Sequence, residues 1–243
     1  MKAGFHLATR YILVVAVPLF IVTSSLRLVI NDSRLYSYGF AKYNIAATTG
    51  ISYDDLLVVG QRIRDFFNQQ DSTLDMRVAI GGVERELFNQ QEKAHMEDVR
   101  NLVRGVVRWQ LLSSAYVGLY ILAAVAALKG RAVEGLASAL LKGCALTLGL
   151  LVIVGMGSLV GFDRLFLQFH LISFSNELWI LDPTRDYLIM IFPWGFFLDA
   201  TLAVVGLSVA QAALFGAASY IYLRFGRRLS KKVSATNMWK VTG

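Results

Sequence analysis

The sequence predicts a mainly α membrane protein: a four-transmembrane-helix bundle carrying a small extracytoplasmic α+β cap. Three observations predict it. Of the 243 residues 56% are hydrophobic and the mean hydropathy is +0.52, too apolar for a soluble enzyme. Four stretches, Tyr11–Ile30, Gln110–Leu128, Gly143–Val160 and Gly195–Leu223, each approach the roughly 20 residues that a helix needs to cross a bilayer. The basic residues are also segregated. Lys2 and Arg10 precede the first stretch. Lys129, Arg131 and Lys142 lie between the second and third, opposed only by Glu134. Arg224, Arg227, Arg228, Lys231, Lys232 and Lys240 follow the fourth with no acid among them. In a four-span chain all of these fall on one side, which is expected to be cytoplasmic and to hold both termini. This bias, with a tail near anionic headgroups, accounts for the net charge of +7 without a nucleic-acid partner.

Residues 1–30 form an N-terminal tail and the first span. No small-x-small cleavage site follows its apolar core, which ends Thr23–Ser24–Ser25–Leu26–Arg27, so it is expected to be an uncleaved helix rather than a signal peptide. Residues 31–88 are too polar to cross and make the cap. Tyr36, Tyr38 and Phe40 alternate with small residues, the period of a strand. Ser52 with Asp55 resembles a capping box, opening a helix whose apolar face is Leu56, Leu57, Ile63, Phe66 and Phe67. Gly81–Gly82 between Met76–Ile80 and Val83–Leu87 predicts a two-residue hairpin.

Residues 89–128 read as an amphipathic helix running into the second span, capped by Asn89 with Glu92 three positions on. Residues 129–142 are expected to be a cytoplasmic loop, and 143–161 the third span. Gly149, Gly155, Gly157 and Gly161 suit close helix packing there. Residues 162–194 are apolar yet interrupted by Asp, Glu, Arg and Pro, which predicts a partly re-entrant outer loop. Such backbone survives at membrane depth only where it lines a cavity or packs on protein. Within it Asp182–Pro183 predicts a helix start, and Pro193 a break. The fourth span, 195–223, and a basic cytoplasmic tail, 224–243, complete the chain.

The titratable residues carry the chemistry. Cys144, the single cysteine, lies in the third span, which excludes a disulfide within the chain and a catalytic thiol on the outer side. His6 falls in the cytoplasmic N-terminal segment. His95 shares a helical stripe with Val99, Leu102, Val106 and Trp109, at alternating steps of four and three. Glu92 lies one turn before it and Asp98 one turn after. Arg100, Arg104 and Arg108 line the opposite face, suited to headgroups or solvent. In the second outer loop Phe162, Leu165, Phe166 and Phe169 make a helical face that His170 adjoins, and Trp179, Tyr187 and Trp194 suit an interfacial aromatic belt. A lone interfacial histidine is ordinarily a half-buried, hydrogen-bonded ring. Two on one side of the membrane, with acids nearby, point to proton transfer. Phe169, Phe174, Trp179, Asp182 and Asp199 are candidate lining residues. Asp199 either snorkels outward or faces the same cavity, since an isolated charge within a span costs about 2.5–3.5 kcal/mol.

The segments EKAHMEDV (Glu92–Val99) and FHLISFSNELWILDP (Phe169–Pro183), with the four-span layout and Phe192–Pro193, resemble the bacterial lipoprotein intramolecular transacylases, the Lit family. The resemblance implies an enzyme at the outer face of the cytoplasmic membrane, with no cofactor. Its partners would be a diacylglyceryl-modified lipoprotein and membrane lipids. It would move the sn-2 acyl chain of the lipoprotein's cysteine onto that cysteine's own α-amino group, leaving a lyso-form lipoprotein. The family's two functional histidines would fall on His95 and His170. The physics is compatible: an α-ammonium of pKa about 7.7–8.0 must lose a proton before attacking an ester, and a histidine is suited to take it. Glu92 or Asp98 is expected to orient His95, and Asn176 or a protonated histidine to meet the oxyanion. Three other readings are open to the residues. Glu92, His95 and His170 could ligate zinc in a membrane hydrolase, although no HExxH spacing is present. The chain could be a non-catalytic assembly or transport-accessory protein. Ser173 or Ser175 could be a nucleophile, although neither lies in a GxSxG setting.

Overall fold

The computed structural model describes residues 2–70, 72–126 and 130–226, with the side chains of 2–7, 130, 131, 159 and 160 excepted. The basic tail from Arg227 and Lys129, and the side chains of Lys2, His6 and Arg131, lie outside this description. The elements in order are α1 (Lys2–Asn31), α2 (Ser33–Lys42), α3 (Ile45–Thr49), α4 (Tyr53–Asn68), β1 (Arg77–Ile80), β2 (Val83–Glu86), α5 (Gln90–Ala126), α6 (Gly130–Ser173), α7 (Tyr187–Ile191), α8 (Trp194–Ile221) and a closing π-helical turn, Tyr222–Gly226. Among the described residues, helices α1, α5, α6 and α8, the last together with the π-helical turn, contain four stretches long and apolar enough to cross a membrane. Along α5 the last charged residue is Arg108, so its uncharged portion begins at Trp109 and His95 lies ahead of it. The fold is the expected one: a mainly α membrane protein, with four candidate spans and one small antiparallel sheet among the described residues.

The chain divides into two compact units. The first comprises Met1–Ser25, Trp109–Ile153 and Val205–Gly243. Its core draws on all four long helices: Leu13, Val17 and Ile21 of α1, Val117 and Ala124 of α5, Leu136, Ala139 and Cys144 of α6, and Ala212 of α8. Several polar groups inside it are paired, although the buried Ser24 Oγ has no hydrogen-bond partner among the described residues. Ser208 Oγ and Gln211 Nε2 each donate to Ser25 Oγ at 2.8 Å, and Tyr116 Oη donates to the Thr9 carbonyl at 2.8 Å. The close helix approach expected of the third span's glycines occurs at Gly143 instead, where a Cβ would stand 2.7 Å from Val17 Cβ. A Cβ at Gly149, Gly155 or Gly161 would meet no neighbouring atom within 4 Å.

The second unit comprises Leu26–Arg108 and Val154–Val204. Its core gathers Tyr36 and Phe40 of α2, Ile45 of α3, Leu56, Val59, Ile63 and Phe66 of α4, Met96 of α5, Leu188 and Ile191 of α7, and Phe196 of α8. Each such side chain, fully buried, contributes roughly 1.5–3 kcal/mol. The expected strand at Tyr36–Phe40 is helix α2, with Asp32 capping it by accepting from the Arg34 amide at 2.9 Å. The period-2 signal misled because Tyr36 and Phe40 are also an i,i+4 pair, both buried, whereas Tyr38 between them is 54% exposed.

Elsewhere in this unit local chemistry prevails. Ser52 Oγ accepts from the Asp55 amide at 3.1 Å and so starts α4. The face of α4 is Leu56, Val59, Ile63 and Phe66, with Leu57 pointing outward. Strands β1 and β2 pair antiparallel from Arg77↔Glu86 to Ile80↔Val83. Gly81 and Gly82 stand at φ 59° and 83°, left-handed backbone that makes this a type I′ turn.

Three boundaries differ from expectation. Helix α6 already begins at Gly130, so residues 130–142, expected as a loop, are helical. It leaves helical geometry only at Gly161 (φ −175°, ψ 70°) and resumes through Ser173, so much of the expected outer loop is helix. Asp182 does not open a helix. Its carboxylate accepts from the Thr184 amide at 2.9 Å and its carbonyl from the Asp186 amide at 2.8 Å, a closed turn, and α7 starts only after Asp186.

Candidate active site

The site lies wholly within the second unit and grows from the first turn of α5. Asn89 Oδ1 accepts from the Glu92 amide at 3.0 Å, and Glu92 Oε2 accepts from the Asn89 amide at 2.7 Å. The reciprocal capping box expected from the sequence therefore forms. Glu92 is 1% exposed and its other oxygen, Oε1, accepts from the Leu188 amide of α7 at 2.7 Å. Burial pushes its carboxyl up while these two amides pull it back.

A second carboxylate, Asp186, is fully buried. It accepts from Asn89 Nδ2 at 2.9 Å, from the Asp182 amide at 2.7 Å and from Arg185 Nε at 3.1 Å. Burial would raise it, but the Asp182 amide and Arg185 hold it below the usual carboxylate range. Gln91 Nε2 donates to the carbonyls of Leu178 and Ile180 at 3.3 and 2.9 Å. Asn176 Nδ2 donates to Asp98 Oδ2 at 2.9 Å while its Oδ1 accepts from the Leu178 amide at 3.1 Å. The segment between α6 and α7 is thus tied to α5 and the Asn89 cap by four hydrogen bonds.

That tie brings the two histidines together. His95 and His170 are 7% and 8% exposed, and their ring centroids are 6.1 Å apart. Phe174 packs on both, at 5.1 Å from His95 and 5.6 Å from His170. Phe166, Phe169 and Trp179 approach the His170 ring at 4.4, 5.3 and 5.0 Å. His170 Nδ1 lies 2.8 Å from the Phe166 carbonyl. A carbonyl only accepts, so Nδ1 carries the proton and Nε2 keeps its lone pair. His95 Nδ1 is buried with no hydrogen-bond partner among the described residues. Burial pulls the His95 imidazole down to about 4, His170 adds to the drop and Asp98 opposes it. Burial also lowers His170, against the bond to the Phe166 carbonyl. Both rings are therefore neutral near pH 7, with a free imidazole nitrogen available in an apolar, aromatic setting.

Several expected roles fall elsewhere. Glu92 does not orient His95, because backbone amides hold both its oxygens. Asp98 binds Asn176 rather than the imidazole, and Asn176 is engaged through both its amide atoms. Asp182 is exposed in its own turn. Asp199 belongs to a separate cluster, where Lys42 Nζ donates to both its oxygens at 2.8 and 2.7 Å and Tyr43 Oη donates at 2.8 Å. Among the described residues no three His, Cys, Asp or Glu side chains converge as metal ligands. The third donor of the zinc reading, Glu92, is the carboxylate already claimed by amides. Sequence reasoning missed Asp186 and Gln91. Asp186 carried one cue, its place immediately before the apolar YLIMI run, which Asp182–Pro183 overshadowed.

The described residues thus combine four helices long and apolar enough to cross a membrane with two buried imidazoles side by side among aromatic rings. The sequence profile described as "Lipoprotein intramolecular transacylase Lit" matches residues 11–197, and the chain belongs to this family. It is similar in fold to the in meso structure of the membrane-integral Lit from Bacillus cereus, with TM-score 0.79 and 17% identity over 93% of this chain and 99% of that one. Two forms of the same protein with a histidine replaced, by arginine and by alanine, give TM-scores of 0.71 each. Their identities are 19% and 18%, over 94% of this chain and 96% and 97% of theirs. No protein of curated function matches the sequence.

Proposed function

We propose that this protein is an O-to-N acyltransferase acting on diacylglyceryl-cysteine lipoproteins, with its site on the outer face of the bacterial cytoplasmic membrane and both termini inside. The observation that carries the proposal is the 6.1 Å spacing of the two buried imidazole rings. The cysteine α-amine adds to the sn-2 ester carbonyl, forming a C–N bond. His170 Nε2 takes the proton that the nitrogen sheds. His95, protonated at Nδ1, donates to the oxyanion. The C–O bond to glycerol then breaks and the glycerol oxygen receives the proton, leaving an amide and a free hydroxyl with no water consumed. Amine and ester belong to one molecule, and well-oriented intramolecular reactions gain up to about 7–11 kcal/mol. The aromatic rings exclude the water that would otherwise hydrolyse the ester.

The test is mass spectrometry of a reporter lipoprotein's N-terminus from cells carrying the wild type, His95→Ala or His170→Ala. Lyso-form lipoprotein is expected with the wild type alone. Unchanged lyso-form in either variant overturns the two-histidine mechanism, and none with the wild type overturns the activity.

A further inference from the structure

The aromatic surface does not stop at the histidines. Phe166, 4.4 Å from the His170 ring, lies 5.7 Å from Phe162 and 4.9 Å from Phe197, and Phe162 lies 6.2 Å from Trp194. From His170 to Phe162 is eight residues of helix, about 12 Å. The row ends at Trp194, the first residue of α8 and so of the fourth span. Its outer members are open: Trp194 is 56% exposed and Phe197 37%. The helix turn that carries them is also packed closely. Tyr43 Oη stands 2.7 Å from where a Cβ of Gly195 would be, Phe196 packs against Gly39, and one turn on Asp199 is clamped by Lys42 and Tyr43.

We infer that Phe162, Phe166, Phe197 and Trp194 form the track along which the transferred acyl chain lies, and that they set the preference for chain length. The inference rests on the proposed acyl transfer. If the ester carbonyl sits between the imidazoles, its hydrocarbon tail must lead from there to the bilayer. This row joins His170 to the start of a spanning helix: Phe162, 7% exposed, packs within it, and the more exposed Phe166, Phe197 and Trp194 present apolar rings along the way. A tail on such a surface keeps water from the path. The tail's contact with the rings grows with its length, so a long chain gains from the row's far end and a short chain does not.

Trp194 and Phe197 supply the test because they are the row's most exposed rings. Purified protein in micelles is given two synthetic diacylglyceryl-cysteine peptides, differing only in a butanoyl or hexadecanoyl sn-2 chain, and kcat/KM is measured for each. Trp194→Ala and Phe197→Ala are expected to lower the hexadecanoyl-to-butanoyl ratio at least about tenfold, the discrimination one methylene supplies in an apolar pocket. Trp194→Leu is expected to restore part of it. A ratio that falls by less in both alanine variants, with both substrates slowed alike, overturns the track and leaves the transferase standing. Absence of product from both peptides with the wild type instead overturns the transfer reaction itself.

Discussion

Replacing Glu92 separates two meanings of a buried acid near a histidine. Its carboxylate accepts from the amides of Asn89 and Leu188, each at 2.7 Å, and is 1% exposed. Hydrogen bonds to a charged group are worth about 1.5–3 kcal/mol each, so Glu92→Ala should destabilise the protein by about 3–6 kcal/mol and leave two buried amides unpaired. At roughly 2–4 °C per kcal/mol for a chain of this size, the melting temperature should fall by more than about 6 °C. Glu92→Gln keeps one acceptor oxygen but turns an NH₂ toward the other amide, so it should lose about half as much. The assay is tryptophan-fluorescence melting of purified protein in micelles, with acyl transfer followed well below the transition. Both variants should also lose rate, because the Leu188 bond helps to hold the segment carrying Phe174 and Trp179. Melting of Glu92→Ala within about 2 °C of wild type would refute the reasoning. So would a Glu92→Gln protein of wild-type stability whose pH profile alone had moved, since that is how a residue orienting His95 behaves.

The pH profile is a second check. His170 is depressed by burial, so the midpoint of its base function should lie below the ordinary histidine value, the function being present at neutral pH and lost as pH falls through the lowered value. Near neutrality the rate should therefore follow the substrate amine, rising through about pH 7.7–8.0; an enzyme-dependent limb above pH 6.5 would contradict this. Phe174→Ala removes the ring shared by both histidines. It should cost about 3 kcal/mol or more of stability and move the acidic limb upward as water reaches the imidazoles, as kcat against pH would show. An unmoved limb would mean that Phe174 does not govern their solvation. Prolonged treatment with EDTA should leave the rate within about twofold of untreated protein, since Glu92 has no oxygen to spare for a metal; loss of activity reversed by zinc would reinstate a metal hydrolase.

What could be read from the chain follows from how local each signal is. The four spans, the Ser52 and Asn89 caps and the Gly81–Gly82 hairpin rest on hydropathy and on contacts within a few residues, and they stand as expected. Histidine pairing was a weaker inference from topology, yet the rings do meet. The errors concern partners far apart in sequence. Nothing near Glu92 foretells Leu188, nothing near Asp98 foretells Asn176, and nothing near Asp199 foretells Lys42 and Tyr43. Carboxylates within reach of a histidine along the helix were expected to serve it, but backbone amides and an asparagine claimed them first. The helical stretch from Gly130 was missed because its mixed polarity reads as a loop when hydropathy alone sets the boundary.

The claim on which everything else depends is that His95 and His170 act on one substrate as a single unit. A kinetic cycle of wild type, His95→Ala, His170→Ala and the double variant tests it directly, with kcat/KM measured for each on one diacylglyceryl-cysteine peptide. Residues acting as a unit are strongly non-additive. The double variant should accordingly be no slower than the slower single variant. A double variant slowed by the product of the two single effects would mean that the histidines work independently, and the shared site would have to be abandoned.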